Sequence, residues 1–454
     1  MQQLTAFDAQ FLGLETPECP LNMGLLIMLE GPSSEDSIRE LLTQLKIGAL
    51  RNERHHQRLW YSHLIHDYPY WLNDGRMDVE KHITHHVLES PGNTRQLHAL
   101  AEKLFPRPMD RTEPLWEFHL IDGLENGQHA LILKLHHACA DGLNAVKMFA
   151  RTVEETGSVE PIWPPRPTPG VAEGLWLSLK GLLQHPIRLL YNLVAISLVW
   201  LFLQLYRGKP SGKRAPQASR FTGPISGRRS YATLDISLKD IRRINRRYGS
   251  SENEVLMSIY SGALRRYLLE KGELPERSMH ANMPISTMFS ESQETAANQA
   301  NITRVTLGTR IDDPVKRLEA MKQRCARALK RQLPPKWERA KILWLNASVR
   351  LVDLAARAGL RLMNSGRILA TASAITTYMP GPVRQVSVAG YRILAAYPMN
   401  IIYHGIGLSI SAMRYAGNAH IGIAADARML PDPEKLGAYI QSEFDALLER
   451  ANAA

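Results

Sequence analysis

The sequence predicts an α/β fold made of two halves, each large enough to bury a core of its own. Its 454 residues exceed the usual size of one domain, and 44% of them are hydrophobic while 22% are charged, as in ordinary globular chains. Apolar runs of strand length alternate with stretches of helical periodicity. Five prolines within Glu160–Gly170 predict a stiff connector between the halves. Disorder, collagen-like repeats and a polytopic membrane protein are excluded by the same composition.

The first half, residues 1–160, is predicted to mix strands and helices. Ser34 stands at the N-cap position of one helical pattern, and Pro106 follows the end of another. The predicted strands are Gly24–Leu29, Glu117–Ile121 and Ala130–Leu135, and the predicted helices are Ser34–Leu50, a short one ending at Ala101–Phe105, and Gly142–Thr156. A turn at Gly123–Gly127 joins the last two strands.

The connector, residues 161–229, is followed by a second half, residues 230–454, in which the α/β pattern resumes. The stretch Gly208–Gly227 is rich in Gly, Pro and Ser and is predicted to be mobile. The predicted elements of the second half are strands at Tyr231–Ile236, Met279–Pro284, Ile302–Leu307, Leu408–Tyr415 and His420–Ala425, a helix at Glu254–Lys271, and a final helix from Pro433. No repeat of solenoid type is present in the sequence.

The cysteines and the N-terminus predict a cytoplasmic protein. Cys19, Cys139 and Cys325 are odd in number and far apart, which excludes a disulfide framework and fits a reducing compartment. The first residues lack the basic and apolar regions of a secretory signal.

The positive charge is concentrated in two stretches. The net charge is +11, yet Gly174–Ser230 holds nine basic residues and no acidic one, and Val315–Ile368 has fourteen basic residues against three acidic. The first stretch contains the apolar segment Ile187–Tyr206, and the second contains Trp337 and Trp344. Cations beside large apolar side chains predict docking on an anionic membrane surface, with a buried helix or a membrane span as alternatives. Nucleic acid is disfavoured because no nucleic-acid-binding motif accompanies the charge.

The motif with the clearest chemistry is His136-His137-Ala138-Cys139-Ala140-Asp141-Gly142, at the end of a predicted strand and the start of a helix. A neutral imidazole can accept a proton from a hydroxyl near pH 7 and return it later. Asp141 could anchor the loop through a charged hydrogen bond, and Gly142 lets backbone or substrate approach closely.

The residue types alone leave other interpretations open. Two further histidine pairs, at His55-His56 and His85-His86, show that such a pair can be structural. Metal binding through His137 and Asp141 lacks a third ligand at a recognisable spacing, and Cys139 could be a nucleophile or a core residue.

Together with its flanking strings, the motif resembles the active-site signature of coenzyme A-dependent acyltransferases. Pro114-Leu115-Trp116-Glu117, the opening string from Asp8 through Phe11-Leu12 to Glu15, Pro91-Gly92, and the C-terminal string from Gly407 to Asp426 are similar to those of the bacterial wax ester synthase/diacylglycerol acyltransferase family. This resemblance covers nearly the whole chain. It implies two chloramphenicol acetyltransferase-like domains with the active site in a tunnel between them.

The resemblance also implies the role of each motif residue. His137 is expected to be the general base, and His136 and Asp141 are expected to support the loop. Asn253-Glu254 matches the family's Asn-Asp pair with a longer acid. Both residues are candidates for binding the substrate or the oxyanion, with Asn253 as the candidate donor. Tyr378-Met379-Pro380-Gly381-Pro382 lacks the asparagine that the family has there. No metal, cofactor or covalent intermediate is expected.

The expected reaction transfers a long-chain acyl group from acyl-CoA to a fatty alcohol or a diacylglycerol, at the cytoplasmic face of a membrane or at a lipid inclusion. A condensation enzyme that uses carrier-protein thioesters and a non-catalytic lipid-binding protein are the alternatives.

Overall fold

A computed structural model describes residues 1–62, 68–140, 142–153, 163–181, 183, 190, 218–286, 300–330 and 372–453. It is a mixed α/β structure, as predicted, with two six-stranded sheets and one three-stranded sheet. The strands and helices predicted from periodicity are present within these residues. Asp141, the apolar segment 187–206 apart from Leu190, and the basic stretch from 331 to 368 lie outside them.

The elements are numbered in chain order. The strands are β1 (Gln2–Gln3), β2 (Asn22–Glu30), β3 (Arg58–Trp60), β4 (Tyr70–Leu72), β5 (Ile83–Val87), β6 (Trp116–Asp122), β7 (His129–His136), β8 (Arg229–Ser237), β9 (His280–Ser286), β10 (Ala300–Thr306), β11 (Ala374–Met379), β12 (Ser387–Val388), β13 (Tyr391–Met399), β14 (Leu408–Tyr415) and β15 (Asn418–Asp426). The helices are α1 (Ala6–Leu14), α2 (Glu35–Ala49), α3 (Thr94–Leu104), α4 (Gly142–Val153), α5 (171–181), α6 (Leu238–Tyr248), α7 (Glu252–Glu270), α8 (Pro314–Lys330) and α9 (Pro433–Ala453).

The first sheet has the order β12-β13-β2-β7-β6-β5 and carries the histidine motif at the end of β7. β2 is antiparallel to β7, and the register places Asn22 opposite His136. Side chains alternate between two buried faces, as strands require. Leu25 and Ile27 face the core that contains buried residues of α2 and partly buried residues of α4, whereas Leu26 packs with residues of α3 and of the second sheet.

The second sheet has the order β10-β9-β11-β14-β15-β8. Helices α6, α7, α8 and α9 contribute buried residues to the core on one of its faces. Leu264 and Tyr267 of α7 are fully buried there. The helices are therefore held by their apolar faces on the sheet.

The first sheet is completed by strands from the second half of the chain. β13 pairs antiparallel with β2 from Arg392 opposite Glu30 to Met399 opposite Gly24, and β12 pairs with β13. Gly24 lies so close to the backbone of Leu133 that a Cβ atom would be 1.8 Å from its carbonyl oxygen. The two halves are thus joined through a shared sheet as well as through the connector.

None of the helices in the described part of the chain combines the length and the apolar composition that a membrane span requires.

β1, β4 and β3 form the three-stranded sheet. The connector is fixed beside this sheet from Trp163 onward. The side-chain N–H of Asn73 donates to the Trp163 carbonyl at 3.0 Å. The backbone carbonyl of Asn73 accepts the Arg166 N–H at 2.8 Å. These two hydrogen bonds tie the described part of the proline-rich connector to the first half.

Candidate active site

The two histidines lie where β7 leaves the sheet, and backbone hydrogen bonds hold both. The His136 N–H donates to the Leu115 carbonyl at 3.1 Å, and the His137 N–H donates to the Leu21 carbonyl at 2.9 Å. The Cys139 N–H then turns back to the His136 carbonyl at 2.9 Å. These bonds fix the turn before α4 begins at Gly142, so the histidines stand at a strand-to-helix junction, as predicted.

His136 is buried, and its ring is surrounded by other groups of the protein. Its Nδ1 accepts the Ala138 N–H at 3.1 Å, which places the proton on Nε2. Nε2 lies 3.7 Å from Oε2 of the Glu15 carboxylate, beyond hydrogen-bond distance. Burial, with the Arg111 guanidinium and the His137 imidazole nearby, lowers the pKa of His136 to about 3. His136 is therefore neutral at physiological pH.

His137 is only half-buried. Its imidazole is stacked on the ring of Phe11, with 4.1 Å between the ring centroids and 13° between the planes. One face of the imidazole is thus covered, and the ring is held in a fixed plane. A partly exposed imidazole with a fixed orientation has the geometry that proton transfer to or from a substrate requires.

Helix α1 supports both histidines from one side. Phe11 contacts His137, and Glu15, four residues later, faces His136. Glu15 is the C-cap residue of α1, which ends at Leu14. Arg111 binds the helix end, donating from Nη2 to Glu15 Oε2 and to the Leu12 carbonyl, each at 2.6 Å. Among the described residues, Glu15 is a carboxylate that lies close to His136.

The string Pro114-Leu115-Trp116 is buried and supports the motif through its backbone and core packing. Leu115 supplies the carbonyl that binds the His136 N–H. Trp116 lies between the imidazoles of His55 and His82, with centroid distances of 4.4 and 4.5 Å, and donates its indole N–H to the His55 carbonyl at 3.0 Å. These contacts fix the conformation of Trp116 in the core.

Asn22 lies beside a narrow cavity between the two halves. Its amide donates to the carbonyls of Phe105 and Arg107 at 3.0 and 2.9 Å. The cavity, lined among others by Asn22, Phe105, Tyr231 and Met399, has a volume of about 20 Å³, enough for one ordered water. The tunnel that the resemblance implies beside His137 stays a prediction.

Asn253 and Glu254 lie at the start of α7, where Glu254 and Ser251 cap the helix. Its carboxylate accepts the Ser251 N–H at 2.8 Å, and the Ser251 hydroxyl accepts the Glu254 N–H at 3.3 Å, which forms a capping box. The Asn253 amide donates to the Met283 sulfur at 3.2 Å. Both residues line a cavity of about 260 Å³ with residues of β9, α8 and β11, all from the second half.

The structure brings together some of the predicted residues and adds two. His136 and His137 lie together, and Leu115 binds their strand. Asn253 and Glu254 line the cavity of about 260 Å³ at the start of α7, and the walls of that cavity do not include the histidines. Glu15 and Phe11 were noted in the sequence only as part of a string. Their place in that string is the signal that could have identified them.

Two models of known families match the chain. The wax ester synthase/diacylglycerol acyltransferase catalytic domain matches residues 4–256, and the C-terminal domain of the same family matches residues 296–448. Relatives named diacylglycerol O-acyltransferases from Mycobacterium bovis and Mycobacterium tuberculosis are 27% identical, over 97% of this chain and 97% of theirs.

Solved structures show the same fold. The wax ester synthase/diacylglycerol acyltransferase from Marinobacter aquaeolei VT8 superposes with a TM-score of 0.72 at 24% identity, over 99% of this chain and 100% of that one. The first condensation domain of the calcium-dependent antibiotic synthetase has a TM-score of 0.59 at 13% identity, over 99% and 96%. The chain belongs to the wax ester synthase/diacylglycerol acyltransferase family, a family of acyltransferases.

Proposed function

We propose that this acyltransferase moves a long-chain acyl group from acyl-CoA to the hydroxyl of a fatty alcohol or a diacylglycerol. The observation that carries the proposal is the half-buried imidazole of His137, held in one plane against Phe11 at the end of β7. The relatives' names add the acceptor class, since they are diacylglycerol O-acyltransferases.

In the proposed step, His137 removes the proton of the acceptor hydroxyl while the oxygen attacks the thioester carbonyl. The tetrahedral intermediate collapses, the C–S bond breaks, and His137 returns the proton to the departing CoA thiolate. General-base catalysis of this kind contributes about 10²- to 10⁴-fold, and alignment of the two substrates adds more. The atoms balance without a metal, a cofactor or an acyl-enzyme.

We propose that His136 and Glu15 position this base. His136 is neutral and buried, so it cannot take over the proton transfer. Its Nδ1 accepts the Ala138 N–H, and its Nε2 lies 3.7 Å from the Glu15 carboxylate, which Arg111 holds in place. This arrangement fixes the imidazole of His136 and with it the backbone that presents His137. The supporting role of Asp141 is proposed on the motif alone.

Asn253 remains the proposed oxyanion donor because it matches the family's motif. Its amide N–H contacts a thioether sulfur, a weak acceptor that a stronger one could replace. Glu254, whose carboxylate caps α7, would then act by fixing the helix end that carries Asn253.

A second candidate function is condensation with a carrier-bound acyl group. The fold shared with a condensation domain supports it. A lipid-binding protein without activity is a third, and the intact His137 argues against it. For the acyltransferase we propose peripheral contact with an anionic membrane or a lipid droplet in the cytoplasm, because acceptors and products with long chains partition there.

The experiment is an assay of CoA release. The protein is incubated with palmitoyl-CoA and either hexadecanol or diolein, and a thiol reagent follows the free CoA. Release that requires an acceptor, together with an ester product seen by chromatography, supports the proposal. Activity only with a carrier-bound acyl group would favour condensation, and no release with any donor would favour the binding protein.

A further inference from the structure

Positive charge gathers at the edge of the second sheet that β10 forms. Arg304 lies on β10 itself, Arg324 and Arg327 lie on α8, and Arg277 precedes β9. Burial lowers the pKa of His280 on β9, and three of these guanidinium groups lower it further. The cations are therefore within electrostatic range of one imidazole. We name these five residues the β10 edge cluster.

Arg324 is half-buried and is held at this edge without a counter-charge. Its Nη1 donates to the Thr306 carbonyl at 3.3 Å. Gly308 makes room for the guanidinium, because a Cβ atom there would lie 2.3 Å from Nη1. Burial and the charge of Arg327 lower the pKa of Arg324, and no carboxylate of the described residues opposes them. A cation in such surroundings is costly unless an anion joins it.

A row of neighbouring residues leads from the β10 edge cluster to the proposed base. The register of β9 and β10 places Asn282 opposite Arg304. The Asn282 amide donates to the Tyr403 hydroxyl at 3.3 Å. Tyr403 and Phe11 pack against the same buried cluster, and Phe11 stacks on His137. The row thus crosses from the second half of the chain to the first and ends at the imidazole.

The donor in the proposed reaction has charge and reactivity at opposite ends. Acyl-CoA carries its phosphates on the nucleotide, and the long pantetheine arm joins them to the thioester. Arginine suits phosphate because its planar guanidinium can bind two oxygens at once. A phosphate at the β10 edge cluster would supply the counter-charge that Arg324 lacks among the described residues. The pantetheine arm would then extend along the row toward His137.

We propose that the β10 edge cluster binds the phosphates of the acyl-CoA donor, with Arg324 as the principal contact. The inference rests on the proposed function, since it names where the donor of that reaction is held. It assigns binding, and not chemistry, to the cluster. Loss of a charged contact there therefore weakens the binding of CoA and leaves the reacting groups unchanged.

Steady-state kinetics with two donors test this assignment. Arg324→Gln is expected to raise the KM for palmitoyl-CoA by at least about tenfold, with kcat unchanged. S-palmitoyl pantetheine has the same thioester and no phosphate, so the variant should use it as well as the wild type does. Arg247→Gln, at an exposed position on α6, removes one positive charge elsewhere and is the matched control. An equal loss of kcat/KM with both donors would overturn the proposal.

Calorimetric titration with free CoA measures the site without acyl transfer. Arg324→Gln and Arg304→Gln are each expected to weaken CoA binding by about tenfold, whereas His137→Ala should bind CoA as the wild type does. Arg304 is exposed on the edge strand, so its variant tests the site even if Arg324→Gln does not fold. Unchanged CoA affinity in the folded arginine variants would overturn the proposal. Arginine-dependent CoA binding without turnover on any donor would support this site and contradict only the proposed reaction.

Discussion

The phenyl ring of Phe11 lies nearly parallel to the imidazole of His137, with 4.1 Å between the ring centroids. The two residues are far apart in the chain, and the contact exists because α1 packs beside the end of β7. Stacking at this distance favours one ring plane over others. The orientation of the proposed base is therefore set by a residue outside the histidine motif.

Replacing Phe11 is expected to slow the reaction without weakening substrate binding. Phe11→Ala removes the stacking partner, so the imidazole of His137 samples other orientations and kcat falls about tenfold. The KM values for palmitoyl-CoA and for the acceptor should stay the same. Phe11→Tyr keeps the aromatic face and should restore most of kcat. An equal loss in both variants would argue against positioning by stacking.

His137→Ala is expected to abolish acyl transfer and leave the fold intact. The loss should be about 10²-fold or more, since no other group would accept the hydroxyl proton. His85→Ala, at an exposed position on β5, is the matched control and should keep wild-type activity. Steady-state CoA release measures both. A His137→Ala variant within tenfold of wild type would refute the assignment of the base.

Glu15→Gln is expected to lower both kcat and stability. The amide keeps the shape of the carboxylate and loses the charge that Arg111 and the His136 Nε2–H face. We expect kcat to fall about tenfold with KM unchanged, and the free energy of unfolding to fall by about 1–3 kcal/mol. Glu18→Gln, at an exposed position nearby, serves as the control for charge. If kcat is unchanged while stability falls, Glu15 has only a structural role.

Asn253→Ala distinguishes two possible roles of Asn253. The residue either donates to the oxyanion or only lines the cavity of about 260 Å³ at the start of α7. Loss of an oxyanion donor lowers kcat by about 10²- to 10³-fold for every acyl chain length. Glu254→Gln should be close to wild type, because glutamine also completes a capping box. If Asn253→Ala instead alters only the preferred chain length, the oxyanion role is wrong.

Stability is expected to fall in acid because buried histidines must stay neutral in the folded protein. Burial lowers the pKa of His55 and His136 to about 3 and that of His98 to about 4. The unfolded chain takes up protons below about pH 6.5, so these residues contribute their full stability above that pH and lose it as the pH falls toward 4.

His98→Gln should remove one of the protons that the chain takes up when it unfolds in acid. The slope of unfolding free energy against pH, measured by denaturant titration between about pH 6 and 4.5, is expected to fall by about 1.4 kcal/mol per pH unit. The exposed His85→Gln should leave the slope unchanged. An unchanged slope in His98→Gln would mean that His98 is accessible to protons in the folded state.

Local patterns in the sequence determined the elements and the place of the motif. The apolar runs of β2 and β7, the Ser34 cap of α2 and the helical spacing of α7 are short-range signals, and each is confirmed. The family was identified from strings of neighbouring residues, and the matches over residues 4–256 and 296–448 confirm it.

Only the tertiary structure decided which distant residues meet. The pairing of β13 with β2 joins positions such as Arg392 and Glu30, and the contact of Glu15 with His136 depends on how α1 packs. The row of residues from Arg304 to His137 likewise follows from how the two halves pack. Periodicity reports the angle between side chains within one element, whereas these contacts depend on how separate elements pack, which no local pattern encodes.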